Sequence, residues 1–447
     1  MYKTTLVLLI ALLFFAGQSK AQKNDYAYYD SLTYKLYMDK EYKQLIKKGK
    51  EALHSGLDYF YLRMRIGIAY YNQKKYRLAV PHFKKALFFS DNDLVREYLY
   101  YSYLWGGEPL MAERLINDMS IALKNKLHVS KSGVLATSVD MAYLTRAEDL
   151  PADLDFPSQD PGTQIIPENF FNMSIGLSHK LGRGASMSHM LTYLYKGNDK
   201  YNYDPNYYPA PNDPYYPYNN SFNTNQFQYY LASAISLGKS WNLIFGGQIA
   251  AVAFPEYSYY ETMFRGQVQY RYSQSSVWNF DYALSGSLLK NFRRASFEGE
   301  LAIMSMNNVL IMQPSGIIRL YPLGNLNLYT QSRFSYSIKD NSGTFFQEQK
   351  LGFKALKNLW LEGTYFSGGV SGFTLDNNAM FYNGLEEINS MAGGKLIIPT
   401  NTKFSLSMGY QFRKMTNYFY TNDDINLKSN NLELNYSLFF ITLLWTL

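Results

Sequence analysis

The residues that most resemble a nucleophile beside its base are Ser178-His179 and Ser188-His189, on neighbouring segments of the chain. A serine hydroxyl becomes nucleophilic when an imidazole lies within hydrogen-bond reach and a third group orients that imidazole. Immediate neighbours on a strand point to opposite faces, so a working pair would have to form across strands, as Ser188 with His179. No third group is evident to complete it. The other histidines are His54, His82 and His128, and the first two fall in helical segments. No catalytic residue is assigned, and the chain is read as a non-enzyme, with a hydrolase as the weakest alternative.

Other chemistries are sparse. The chain has no cysteine, which removes disulfides, thiolate metal sites and a cysteine nucleophile. Phosphate loops, dinucleotide fingerprints and zinc spacings are absent. The acidic stretch from Glu148 to Asp160 could offer Asp153, Asp155 and Asp160 to a divalent cation, and Asp423-Asp424 is a similar pair. Both read as solvated loop, so neither a metal nor a cofactor is assigned. The net charge of +7 is spread along the chain with no basic arm, which argues against nucleic acid.

What remains is chemistry of recognition and of a lining. Tyr207, Tyr208, Tyr215, Tyr216 and Tyr218 punctuate a segment rich in Asn and Pro. Rigid aromatics among adaptable polar neighbours suit either ligand recognition or a loop that plugs a pore. Arg265, Gln269, Arg271, Arg333 and Arg413 recur on the polar side of alternating runs and are the expected inward-facing residues.

The elements that must position these groups are of two kinds. Lys3, the apolar run Leu6 to Ala16, and Ser19 with Ala21 form a signal peptide over 1–21, with cleavage expected before Gln22. No later stretch reaches the roughly 18 apolar residues of a spanning helix. A mature chain in a membrane would then have to be a closed barrel, the other structure that satisfies its backbone in lipid. From about residue 132 the pattern alternates with period two. Phe404, Leu406, Met408, Tyr410 and Phe412 interleave with Ser405, Ser407, Gly409, Gln411 and Arg413. The runs at 264–272, 278–285 and 326–338 behave likewise. One face is apolar and the other carries Arg, Gln and Asn, as in a membrane barrel. The aromatic content of 17%, with 43 Tyr, fits its interfacial girdles.

Tight connections are expected near Gly182–Ala185, Gly238–Trp241, Pro322–Asn325, Lys357–Asn358 and Pro399–Thr402, and long outer loops near 146–168, 197–224, 371–386 and 418–429. About fifteen segments can be marked, whereas both ends of a barrel on one side of the membrane require an even number. The expectation is therefore about fourteen strands, with twelve and sixteen as neighbouring solutions, and the conflict falls in 255–310.

Residues 22–124 read as helices, joined by 125–131 to a barrel over 132–447. Tyr42 and Tyr76 are 34 residues apart, as are Ala52 and Ala86. In the middle copy Gly67, Tyr70, Tyr76, Ala79, Phe83 and Ala86 resemble the tetratricopeptide (TPR) signature. The first copy has Thr33 at the glycine position. A third fits after a one-residue slip, with Tyr100, Tyr103 and Ala112. The resemblance implies a protein-binding module, and Tyr61, Met64, Ile68, Tyr71 and Asn72 share the helix face that would line its groove.

The plan as a whole, a leader, a short TPR domain and a C-terminal barrel, resembles outer-membrane proteins of Bacteroidota. The Ala21–Gln22 junction and the turn Tyr321-Pro322-Leu323-Gly324-Asn325 carry that likeness. The plan is also similar to the TPR porins that export exopolysaccharide, from which this chain departs in having few repeats. A last strand ending in Trp445 and Leu447 resembles the signal read by the barrel-assembly machinery. These likenesses imply a Gram-negative outer membrane with its lipid and lipopolysaccharide, a periplasmic TPR domain and a protein partner held by it. The resulting expectation is a scaffold or accessory subunit of an export or assembly complex. The alternative is a channel for small solutes or an exported polysaccharide.

Overall fold

The computed structural model describes residues 25–129, 133–150, 162–182, 184–203, 219–264, 267–339, 342–400, 403–421 and 424–446. The expected signal peptide lies outside them. The chain divides into two compact units: 1–129 together with the short stretches 292–295 and 321–326, and the remaining residues.

The first unit is helical. α1 covers 25–38, followed by α2 (Tyr42–His54), α3 (Phe60–Asn72), α4 (Tyr76–Phe89), α5 (Asp93–Trp105), α6 (Pro109–Leu115) and α7 (Ile121–Lys126). The 34-residue period is visible in the backbone. Lys40 (φ 57°) and Lys74 (φ 58°) close the turns before α2 and α4 in the same left-handed conformation. The residue after each donates its N–H to the equivalent carbonyl, Glu41 to Leu36 and Lys75 to Tyr70. The third such turn falls one residue early, at Gly107 (φ 79°), with Glu108 donating to Tyr103. This is the slip seen in the third sequence copy. Lysine occupies a left-handed position at a cost that glycine avoids.

Small residues let the helices approach. A Cβ on Gly67 would lie 2.6 Å from the Phe83 ring, and one on Gly49 would lie 2.6 Å from the Ile66 side chain. Ala52, Ala79, Phe83 and Ala86 are fully buried in one apolar core.

The second unit is a closed antiparallel barrel. Its strands are β1 (Val134–Arg146), β2 (Gly162–Gly182), β3 (Ala185–Tyr203), β4 (Asn219–Gly238), β5 (Trp241–Phe264), β6 (Gln267–Asn291) and β7 (Ala295–Met306). They continue with β8 (Val309–Leu320), β9 (Leu328–Lys339), β10 (Ser342–Leu356), β11 (Leu359–Val370), β14 (Glu387–Pro399), β15 (Phe404–Thr421) and β16 (Asp424–Thr446). Neighbours in sequence pair around the ring and β16 closes on β1, giving fourteen strands. A separate hairpin, β12 (Phe373–Leu375) with β13 (Met380–Tyr382), stands apart from the ring.

Strand alternation places the polar side inward. On β7, Glu298, Glu300, Ala302 and Met304 are buried, whereas Phe297, Leu301 and Ile303 are exposed. On β9, Gln331, Arg333, Ser335 and Ser337 are buried, whereas Phe334, Tyr336 and Ile338 are exposed. An exterior this apolar has lipid as its natural solvent. At the short-turn end, Trp241 opens β5 and Trp360 is the second residue of β11, with Lys290 and Lys354 over their rings, and Trp445 nears the end of β16.

Several boundaries differ from the sequence expectation. The run 264–272 is not one strand: β5 ends at Phe264, β6 begins at Gln267, and the two pair along their whole length. That turn resolves the parity conflict in 255–310. The loop expected at 418–429 is mostly strand, because β15 runs to Thr421 and β16 opens at Asp424. β2 already begins at Gly162, β3 extends to Tyr203 and β4 starts at Asn219, so the segments 146–168 and 197–224 are shortened as loops. The largest departure is 371–386.

Candidate functional site in the barrel lumen

The segment 371–386, expected as an outer loop, folds inward. Its tip is Asp376-Asn377-Asn378, three consecutive residues at φ 53°, 56° and 71°. Asp and Asn tolerate this left-handed region better than other side chains, and they form a tight reversal here. The flanking apolar residues Phe373 and Leu375 are 1% and 2% exposed.

The hairpin bonds to strands around most of the ring, which requires a position in the lumen. Gln313 of β8 grips its backbone twice: the side-chain amide donates to the Thr374 carbonyl (2.7 Å) and its oxygen accepts the Thr374 N–H (3.1 Å). The Asn378 amide donates to the Gly246 carbonyl of β5 (3.1 Å). The Asn383 amide donates to Asp281 of β6 (2.6 Å) and its oxygen accepts from Gln226 of β4 (3.3 Å). Lys196 of β3 donates to Glu386 (2.8 Å). Phe373 packs on Phe346 and Phe366 of β10 and β11, with ring centroids 5.4 and 5.3 Å apart.

Gly246 marks the closest approach, since a Cβ there would collide with the carbonyl oxygen of Asn377. One part of the lumen beside the hairpin is packed as a core, with Val370, Ile388, Met391, Met415 and Tyr436 buried there.

A charged ladder runs along the inner wall of β7–β10. Arg319 donates to Glu298 (2.7 Å) and Arg333 donates to Glu300 (3.0 Å). Arg333 and Lys350 both reach Asp376 at the hairpin tip, each at 3.3 Å, and Lys350 also pairs with Glu348 (3.2 Å). Buried charges persist in pairs because an isolated one is costly. Three of the inward basic groups, Arg319, Arg333 and Lys350, are thus neutralised by carboxylates of the wall and of the hairpin tip.

Beside the hairpin lies a cavity of ≈ 730 Å³, walled by β1–β6, by β10, β11 and β14–β16, and by the hairpin itself. Thr192, Asn198, Thr224, Gln226 and Gln228 supply amides and hydroxyls to it.

The expected site residues are distributed unevenly. Arg333 and Arg413 do face inward, 0% and 4% exposed. Arg265 and the side chains of Gln269 and Arg271 lie outside the described residues, as do Tyr207, Tyr208, Tyr215, Tyr216 and Tyr218, and Asp153, Asp155 and Asp160. Among the described residues, the segment that enters the lumen is 371–386. On the helices, Met64 and Ile68 are buried in the core rather than standing on an open face. Tyr71 packs against Tyr76, Tyr98 and Trp105, while Tyr61 and Asn72 are exposed.

The Ser–His arrangement does not form. Ser178 and Ser188 bond to each other (2.8 Å) on one face of the sheet. His179 and His189 meet Nε2 to Nε2 (3.0 Å) on the other, where His189 also bonds the Tyr229 hydroxyl (2.7 Å). Sequence reasoning missed Gln313, Gly246, Lys196, Asn383 and Glu386. The available signal was the Asp-Asn-Asn turn between Phe373 and Met380-Phe381-Tyr382.

A closed fourteen-strand barrel, apolar outside and polar inside, defines the class of transmembrane β-barrels found in outer membranes. Similar architecture occurs in a FadL homologue of Pseudomonas aeruginosa (TM-score 0.40, 8% identity, 70% of this chain and 90% of that one). It also occurs in the toluene transporter TodX of P. putida (0.35, 6%, 72% and 92%) and in the KdgM porin (0.28, 7%, 68% and 97%). No protein-family model and no curated protein matches the sequence.

Proposed function

We propose that the protein is an outer-membrane barrel closed at rest by the hairpin 371–386, which anchors a periplasmic helical module that docks a protein partner. The observation that carries this reading is the packed hairpin in the lumen. An open channel leaves its bore to water, whereas here Phe373, Leu375 and Thr374 are buried among wall side chains. The helical unit supports the docking half. It repeats one turn geometry at Lys40, Lys74 and Gly107, as expected of stacked TPR-like hairpins. Its exposed Tyr61, Trp105 and Phe88 suit a protein surface. A role as an accessory subunit of an export or assembly complex follows from that pairing of anchor and dock.

The test is a mild-detergent pull-down of the full chain from its own membrane. A stoichiometric partner lost on deletion of residues 22–124 supports the reading. A protein purified without a partner, conducting ions steadily in a planar bilayer, overturns it.

A gated channel is the second reading, and the cavity beside the hairpin favours it. Deleting 371–386 should then raise conductance and solute uptake together.

A further inference from the structure

Whether or not the helical unit docks a partner, the lumen cavity has its own chemistry. We propose that it is a binding site for a neutral, polyhydroxylated ligand of the carbohydrate class. Three observations converge on this.

The first is the state of its charges. Lys196 is bonded to Glu386 (2.8 Å), Lys350 to Glu348 and Asp376 (3.2 and 3.3 Å), and Lys395 to Glu362 (2.9 Å). All of these line the cavity. Attraction of an ion needs an uncompensated field of one sign. Arg413 and Asp140 also line the cavity outside any such pair, but they are opposite in sign, so the lining presents no net positive field to draw an anion.

The second is the wall of β3 and β4. Thr192, Asn198, Thr224, Gln226 and Gln228 are inward residues on adjacent strands, and all of them line the cavity. Side-chain amides and hydroxyls both donate and accept, which matches a sugar hydroxyl. Thr192 bonds Ser174, Thr224 accepts from Asn198, Gln226 donates to Asn383 and Gln228 accepts from Gln248. An acyl chain would therefore leave unmet the remaining donors and acceptors of this wall, which a sugar hydroxyl can fill.

The third is aromatic. Phe222, Phe254 and Phe381 line the same space. Their flat apolar surfaces suit the C–H face of a pyranose ring while its hydroxyls reach the amide wall. The volume of ≈ 730 Å³ lies within the roughly 300–1,000 Å³ usual for small-ligand pockets.

The experiment uses the full chain in lipid nanodiscs, which avoids sugar-based detergents. Calorimetric titration is run with neutral oligosaccharides of glucose, galactose, mannose and N-acetylglucosamine, with oligouronates, and with a long-chain alcohol. The expected result is binding of at least one neutral series with Kd in the micromolar to millimolar range, and none of the oligouronates or the alcohol. Thr192→Val and Thr224→Val keep the side-chain shape and remove one hydroxyl each, so barrel closure is preserved. Each should weaken binding about tenfold. Absence of neutral-sugar binding up to about 10 mM overturns the proposal. So does preferential binding of the uronate or the alcohol, or neutral-sugar binding that neither variant changes.

Discussion

The guanidinium of Arg333 on β9 donates to Asp376 at the tip of the inserted hairpin, 3.3 Å away, while also donating to Glu300 at 3.0 Å. Arg333 is fully buried, so the wall supplies a fixed cation on which the hairpin tip lands. This contact orients the hairpin but does not dominate its hold. The Asp376 side chain is 49% exposed, so its ion pairs are screened and contribute about 1 kcal/mol or less. Phe373 is 1% exposed, and truncating a buried Phe costs about 3–5 kcal/mol. Phe373→Ala should therefore raise single-channel conductance and open-state flicker well above the level reached by Asp376→Ala. The opposite ranking in planar-bilayer recordings would mean that charge, not packing, holds the hairpin.

Gly246 offers a steric route to the same state. Its missing Cβ makes room for the Asn377 backbone, which cannot shift without moving the whole tip. Gly246→Val should expel the hairpin while the barrel still closes. The readouts are new protease cleavage within 371–386 and a rise in conductance. Unchanged protection would show that the tip has another resting place.

In the helical unit, Gly67 sits against the Phe83 ring, with 2.6 Å available to a Cβ. Gly67→Val should force α3 and α4 apart at a cost of about 1–3 kcal/mol. Thermal melting of the helical circular-dichroism signal should move down, whereas the heat-dependent gel shift of the folded barrel should not change.

His82 gives that unit a pH dependence. Burial first, and the nearby Arg63 second, push its pKa from 6.5 down to about 3. In the unfolded chain it takes a proton near 6.5, so below that pH the unfolded state holds more protons than the fold. The stability is fully present above pH 6.5 and is lost as pH falls toward about 3. Helix melting temperatures should decline across this window, and His82→Gln should flatten the decline.

Much of this architecture is written locally. Alternation of apolar and polar residues is a property of each strand, and it marked the outward and inward faces of β9 and β15. The 34-residue period and its one-residue slip reappear in the backbone as equivalent turns at Lys40, Lys74 and Gly107, because each turn depends on its own few residues. Short connections such as Gly238–Trp241 and Lys357–Asn358 were legible from their turn residues for the same reason. What the run at 264–272 concealed was a reversal inside an unbroken alternation, where period alone carries no direction.

The fate of 371–386 belongs to the tertiary structure. A polar, Asn-rich segment reads as a solvated loop, and its Asp-Asn-Asn tip specifies a reversal but not a destination. The destination depends on partners distant in the chain: Asp281 lies 102 residues from Asn383, Gly246 lies 132 from Asn378, and Lys196 lies 190 from Glu386. Only ring closure brings those groups to one space. The register of the β2–β3 hairpin sets Ser178 on Ser188 and His179 on His189, whereas insertion of 371–386 into the closed ring buries Arg333 between two carboxylates. Sequence determined which residues would face inward; assembly of the ring decided what they would meet there, since hydrogen bonds and ion pairs depend on distances that no single strand contains.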